Sequence, residues 1–349
     1  MTGGFPGRSV LRARPTMRDV AALAGVSLKT VSRVVNGVSS VDPQMTERVN
    51  AAAVKLGYRP NLTASNLRRL DRRPSTVGML VENAANPFSS ALMRAVENAA
   101  HERDILVLFG SLDEDPIRER KLVSAFIDRR VDGLVIVPAG SDQSYLSTER
   151  DAGTCLVFLD RAPMLLDADA VVSDNEGGAS SAVAHLLGFG HRRIAYLGDR
   201  ASIRTAAQRF AGYRRSLELA HIEMDDRLVR HGIHNIDAAT SAARRLLALP
   251  DPPSAIFASQ NLVTIGVVRA LSALHCHDQV ALVGFDDFPQ ADMLCPGATV
   301  IAQQTEQMGR VAAERLFARL DGDQSPTEVV VLPTTLIQRG SGELTPRVD

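Results

Sequence analysis

From Thr76 onward the chain alternates short apolar runs with amphipathic stretches. The runs are "TVGMLV", "ILVLFG", "VDGLVIV", "TCLVFLD", "AVVSD", "RIAYLG", "LVRHG", "AIFAS" and "VALVGFD". Helical patterns of about 12–20 residues separate most of them. Parallel strands need a long crossover between them, usually a helix, so this rhythm predicts doubly wound parallel α/β sheets. Ten or so such units over roughly 270 residues exceed one comfortable sheet and predict two lobes. Ligands of such folds bind beyond the carboxyl ends of the strands, which places a site in the cleft between the lobes.

Upstream of this body the texture is different. Thr16 is positioned to cap a first helix, with Asp19 completing a capping box and Gly25 just past its end. Ser27 caps a second helix that Gly37, after Asn36, brings to a stop. Asp42-Pro43 opens a third, closed by Gly57, with Met45, Val49, Ala52, Ala53 and Leu56 at helical spacing. The first two helices are joined by "AGVS" alone, and a Gly-containing turn of that length is a helix-turn-helix signature. Residues 1–15 read as a loose basic arm. "YRPNLTASNLRRLDRRP" reads as a polar, basic linker able to become helical between Pro60 and Pro74.

Charge supports this division. Residues 1–73 hold 13 Lys+Arg against 4 Asp+Glu, a net +9, whereas the remainder holds 26 against 36, a net −10. A basic head on an acidic body points to a polyanion-binding module. No apolar run approaches the roughly 18 residues of a membrane span, and no apolar stretch follows Arg8, Arg12 and Arg14, so no membrane or secretory route is expected. Three widely spaced cysteines (Cys155, Cys276, Cys295) fit a reducing, cytoplasmic compartment. "HCHD" around Cys276 has no companion cluster, so no metal is expected there. Catalysis is not expected either. The chain lacks a G-x-x-x-x-G-K-[ST] loop, a G-x-S-x-G elbow and an H-E-x-x-H pair, and "GFGHRR" lacks the third Gly of a dinucleotide fingerprint.

The second helix divides into two faces at about 100° per residue. Val31, Val34 and Val35 form a stripe able to dock on Val20 and Leu23 of the first helix. Lys29 and Arg33 occupy the other face, with Leu28 and Ser32 beside them. A recognition helix presents its N-terminal half to base edges in the major groove. Arg pairs with guanine O6 and N7, Lys does so less rigidly, and Leu28 offers apolar contact to a thymine methyl. The hydroxyls of Thr16, Ser27, Thr30 and Ser32, near free N–H groups at the helix starts, suit phosphate oxygens, and Asn36 is grouped with them.

"MRDVAALAGVSLKTVSRVVNG" followed by "KLGYRPNLTASNL" resembles the DNA-binding domain of the lac repressor (LacI/GalR) family of transcriptional regulators. The likeness runs over about residues 16–340 through motifs in the family's order. They are "NPF" (86–88), "VDGLVI" (131–136), "FLDR" (158–161), "GHRRIAYLG" (190–198), "QRFAGY" (208–213), "AIFASQN" (255–261) and "VGFDD" (283–287). The resemblance implies a helix-turn-helix domain over 16–60, a hinge helix over 61–74 and a periplasmic-binding-protein-like (type I) effector domain over 75–340. It divides that domain into an N-lobe (about 75–161 and 303–324) and a C-lobe (about 162–302 and 325–340), with a tail at 341–349.

It further implies a homodimer on a palindromic double-stranded DNA operator, controlled by a small-molecule effector, a sugar or derivative, in the inter-lobe cleft. Leu28, Lys29 and Arg33 match the family's base-reading positions. Leu67 matches the leucine that wedges into the minor groove, with Ala64 beside it; Arg68 and Arg69 are placed to hold flanking phosphates. Arg209, Asp286 and Gln303 match effector-contacting positions of sugar-binding relatives. Asp160 and Arg161 end an expected strand, Phe88 offers a face for stacking, and Gln260 and Asn261 adjoin the pocket.

The chain also departs from the pattern. Gln260-Asn261 stands where most relatives have Asn-Asp, which removes one carboxylate near the pocket. The hinge reads "ASNL" where an Arg commonly follows the Ala, and Met45 stands where a Thr often contacts phosphate. No leucine heptads follow "LIQRG", so a dimer is expected and not the tetramer of some relatives. The expected function is a repressor of a catabolic or transport operon. A DNA-binding regulator controlled by a protein partner is the alternative, disfavoured by the polar cleft residues.

Overall fold

The computed structural model describes residues 15–35, 38, 40–58 and 74–347. Most of the basic arm, the hinge over 61–73, and Asn36, Gly37, Ala64, Leu67, Arg68 and Arg69 lie outside the described residues. The chain divides into two units between Arg73 and Pro74.

The first unit contains α1 (Met17–Ala24), α2 (Leu28–Val35) and α3 (Pro43–Leu56). Thr16 and Asp19 form the expected capping box, with the Thr16 backbone N–H donating to Asp19 Oδ2 at 2.7 Å. Gly25 ends α1 at φ 64°, a left-handed conformation that glycine adopts without a Cβ clash. The Thr30 N–H donates to Ser27 Oγ at 3.1 Å, and Asp42 Oδ1 accepts from the N–H groups of Gln44 and Met45. The core is Val20, Ala21, Ala24, Val31, Val49 and Ala52, with Val34 and Val35 packed against it. The valine stripe therefore docks on Val20 and two alanines, not on Leu23, which is 45% exposed. Met45 is also exposed, because it lies in the first turn of α3, on the rim of a core built from small side chains.

The second unit holds two sheets. In chain order the strands are β1 (Thr76–Val81), β2 (Leu106–Ser111), β3 (Gly133–Ile136), β4 (Cys155–Leu159), β5 (Asp169–Ser173) and β6 (Ile194–Leu197). They continue with β7 (Val229–Arg230), β8 (Ala255–Ala258), β9 (Ala281–Phe285), β10 (Thr299–Ala302), β11 (Val329–Leu332) and β12 (Thr335–Ile337). The first sheet runs β11-β5-β4-β3-β1-β2 and is entirely parallel. The second runs β12-β10-β9-β8-β6-β7, with β12 alone antiparallel. The helices are α4 (Pro87–His101), α5 (Pro116–Asp128), α6 (Ser147–Asp151), α7 (Asn175–Gly188), α8 (Arg204–Leu219), α9 (Ile236–Leu247), α10 (Asn261–Ala273) and α11 (Thr305–Leu320). Each sheet separates two buried apolar clusters, as parallel sheets covered on both faces require.

The lobe boundaries differ from those expected. β5 pairs with β4 and β11 pairs with β5, so residues 169–173 and 329–332 belong to the first lobe rather than the second. The chain crosses between lobes at Asp174, at Gln303–Gln304 and at Pro333–Thr334. The three crossings lie together: the Asp174 N–H donates to the Leu332 carbonyl, and Gln304 Nε2 donates to the Pro333 carbonyl. Within the expected tail, residues 341–344 pack on the second lobe, where their polar groups meet its side chains and backbone. Ser341 Oγ donates to the Leu282 carbonyl at 2.6 Å, Glu343 meets His185 Nε2 at 2.6 Å, and the Leu344 carbonyl meets His191 Nε2 at 2.8 Å.

Candidate functional site

In the first unit, Leu28, Lys29 and Arg33 lie together on the outward side of α2, opposite buried Val31. Leu28 is 45% exposed, and Arg33 Nη2 donates to Ser40 Oγ at 2.7 Å, which holds the guanidinium near the C-terminal end of α2. Thr16 and Ser27 mark the starts of α1 and α2, and the Ser27 and Thr30 hydroxyls lie 2.8 Å apart. Ser32 is half-buried. Arg48 of α3 donates to the Ala24 carbonyl at 2.6 Å, tying α3 to the turn between the two helices.

The second unit carries a cleft between its lobes, about 580 Å³ including space open to solvent. That size suits a small molecule. Its lining follows from the topology, because most of its polar groups come one to three residues after a strand. Glu82 follows β1, Glu114 follows β2, Asp160 and Arg161 follow β4, Asp199 follows β6, Ser259 and Gln260 follow β8, and Asp286 follows β9. Phe88 of α4 and Arg209 of α8 also line it.

Asp160 and Asp286 are twins in the two lobes. Each is buried, each follows its strand directly, and each is left-handed, at φ 66° and 67°. Asp tolerates this conformation better than most residues. The Asp160 N–H donates to Val171 of β5 at 2.9 Å, and the Asp286 N–H to Ile301 of β10 at 2.8 Å. The shared turn aims a carboxylate from each sheet at the cleft.

Arg209 is buried beside Asp286. Its Nε donates to Asn175 Oδ1 at 2.7 Å, its Nη1 donates to the Ser259 carbonyl at 2.8 Å, and Nη1 lies 3.4 Å from Asp286 Oδ2. The guanidinium also sits 3.8 Å from the centroid of the Phe285 ring, a cation–π contact. On the opposite wall Arg161 forms a two-pronged pair with Glu114, at 2.9 and 2.6 Å, and donates to the Pro138 carbonyl. Its Nε lies 3.4 Å from Asp160 Oδ2, while Asp160 Oδ1 is buried with no hydrogen-bond partner in the protein.

Burial dominates the electrostatics. It pushes the Glu82 carboxyl from its ordinary 4.5 to about 7, with help from the negative charge of Glu114 and against the pull of Arg161. Burial also raises Asp160, against Arg161 and Arg209, and raises Asp199.

Of the residues expected at the effector site, Phe88, Asp160, Arg161, Arg209, Gln260 and Asp286 line the cleft. Asn261 and Gln303 stand behind the lining. Asn261 Nδ2 donates to Asn86 Oδ1 at 2.8 Å, and Gln303 Nε2 donates to Asp286 Oδ1 at 2.6 Å. Gln260 turns its amide to Asp199 Oδ2 and the Ile233 carbonyl, both at 3.2 Å. Glu82, Asn86, Glu114 and Asp199 were not anticipated as site residues. Their signal, a polar residue closing or shortly following an apolar run, also marks ordinary strand ends. Among the described residues no group of three or more His, Cys, Asp or Glu is placed to hold a metal ion.

Residues 16–61 match the bacterial regulatory proteins, lacI family, and residues 183–342 match the periplasmic binding protein-like domain. The chain is 31% identical over 329 residues to the ribose operon repressor of Escherichia coli (strain K12), covering 93% of this chain and 99% of that protein. The chain belongs to the lacI family. Among solved structures, this lacI-family chain is similar to the transcriptional regulator CelR–cellobiose complex, with 34% identity, a TM-score of 0.68, and coverage of 94% of this chain and 100% of that one. It is also similar to the lac repressor dimer bound to operator and the anti-inducer ONPF, with 26% identity, a TM-score of 0.81, and coverage of 95% and 100%. Like its lacI-family relatives, it is a DNA-binding transcriptional regulator with an effector-binding domain. Among the described residues no helix is long and apolar enough to cross a membrane.

Proposed function

We propose that the protein is a cytoplasmic, nucleoid-bound repressor that grips a palindromic operator as a homodimer and changes its grip when a sugar or sugar derivative enters the cleft. In this reading Leu28, Lys29 and Arg33 meet base edges in the major groove, while Thr16, Ser27, Thr30, Ser32 and Asn36 meet phosphates. Ala64, Leu67 and Arg68 are assigned to the minor groove on the sequence alone. The observation that carries the effector half is the twin arrangement of Asp160 and Asp286, one from each lobe, facing a common cleft. A ligand that hydrogen-bonds both carboxylates favours one separation of the lobes over another, and such differential binding shifts a two-state equilibrium. The cleft has no catalytic assignment: its polar groups grip and orient.

Operator affinity measured by fluorescence anisotropy during titration with sugars tests this reading. A sugar that changes the affinity of the wild type and leaves that of Asp160→Ala and Arg209→Ala untouched supports it. A sugar that acts equally on all three removes these residues from the site.

A further inference from the structure

The cleft wall carries five carboxylates, Glu82, Glu114, Asp160, Asp199 and Asp286, against two guanidiniums, Arg161 and Arg209. The cations are already committed. Arg161 serves Glu114 and the Pro138 carbonyl through its Nη groups, with its Nε unbonded and 3.4 Å from Asp160 Oδ2; Arg209 serves Asn175, the Ser259 carbonyl and Asp286. Glu82 and Asp160 are left with weak partners, while Asp199 Oδ1 accepts the Arg200 backbone N–H at 2.7 Å. Glu82 accepts from Asn86 Nδ2 at 3.4 Å, and Asp199 Oδ2 accepts from Gln260 Nε2 at 3.2 Å. The half-exposed Arg200 has Nε 4.0 Å from Asp199 Oδ1, and His234 and Arg200 both pull the Asp199 carboxyl down. Asp160 Oδ1, in a residue only 5% exposed, has no hydrogen-bond partner at all. A buried acceptor without a donor costs about 1–3 kcal/mol, more when charged, so this wall is built to be completed by donors from a ligand.

We infer that the cleft selects a polyhydroxylated ligand bearing a protonated amine over its neutral parent, and rejects ligands bearing a carboxylate or phosphate. The inference rests on the reading of the cleft as a sugar-class effector site. Hydroxyl and ammonium groups both donate, but only the ammonium offsets the surplus of negative charge. An anion finds each guanidinium already paired with a carboxylate, Arg161 with Glu114 and Arg209 with Asp286, and three further acidic groups facing it. Burial raises Glu82, Asp160 and Asp199 even against the pull of nearby cations, so an ammonium placed among them would draw these carboxyls back towards their charged form.

The test is calorimetric titration of the full chain with matched sets: glucose, glucosamine, glucuronate and glucose 6-phosphate, and the corresponding galactose, xylose and cellobiose series where they exist. The amine member of a binding set is expected to bind about tenfold or more tightly than its neutral parent, and the acidic members to bind more weakly than that parent. A neutral sugar that binds as well as its amine overturns the charge preference and leaves the sugar cleft standing. An acid or phosphate that binds as well as the neutral parent does the same. Absence of binding by every set overturns both readings. The double variant Glu82→Gln/Asp199→Asn is expected to bring the amine-to-neutral ratio towards one. An unchanged ratio in a variant with wild-type circular dichroism overturns the assignment, and if the variant does not fold the matched sets alone decide.

Discussion

The side chain of Asn261, on the second lobe, donates from Nδ2 to Oδ1 of Asn86 on the first at 2.8 Å, with both residues buried. Asn86 Oδ1 also caps α4 by accepting the Phe88 N–H at 3.0 Å. One oxygen thus serves a helix of the first lobe and a donor of the second. Its amide cannot flip to suit a new partner without giving up the cap.

A carboxylate at position 261 would face that oxygen with no proton to offer. Asn261→Asp is expected to destabilise the second unit by about 1–3 kcal/mol, the cost of an unsatisfied buried polar group. Asn261→Ala is expected to cost the lower end of that range, because it also removes the group that would be left unpaired on its own side. Thermal melting of both variants checks the order.

The Glu82 carboxyl gives the free protein a pH signature. Its neighbours in the cleft are Glu114 and Asp199, which raise it further, and Arg161 and Asn86, which hold it down. Because it titrates near pH 7 in the fold against about 4.5 when unfolded, the folded state binds the extra proton between these values. Its contribution to stability is full below about pH 4.5 and is lost as the pH rises through 7. The melting temperature of the wild type relative to Glu82→Gln is therefore expected to fall from pH 4.5 to 7.5 and level off above. A difference independent of pH would remove Glu82 as the titrating group.

Gly25 closes α1 at φ 64°, and a Cβ there would come within 2.8 Å of Arg48 Nη2, the atom that donates to the Ala24 carbonyl. Gly25→Ala is expected to cost about 1–2 kcal/mol from the left-handed backbone, with a further loss if Arg48 is displaced. A lower melting point for helix loss in an isolated fragment over 1–73 would register it, with Gly57→Ala as comparison. At Gly57 the same φ recurs, and nothing lies within 4 Å of an added Cβ.

All nine strands read from the apolar runs are present, because β-branched runs between helices leave few alternatives. "TVIA", "VVVL" and "TLI" (β10, β11 and β12) do not stand out in the sequence, because they break the strand–helix alternation: no helix separates β9 from β10, and only two residues separate β11 from β12. Lobe membership was not legible either, since chain order does not reveal that β5 and β11 pair across more than 150 residues of sequence. Helical periodicity put Leu23 and Met45 on apolar faces, but it carries no information about where so small a core ends. In the cleft, the residues on recognisable motifs could be named from the sequence. Glu82, Glu114 and Asp199 could not, because only the folded sheets bring those strand ends to one cleft.

DNA reading by α2 is tested most directly by quantitative binding to a palindromic site selected from random duplexes, comparing wild type with Lys29→Ala and Arg33→Ala. Each substitution is expected to cost about 1–3 kcal/mol of operator affinity and to relax the preference at one base position of each half-site. Wild-type affinity and wild-type base preference in both variants would show that the exposed face of α2 does not read the operator.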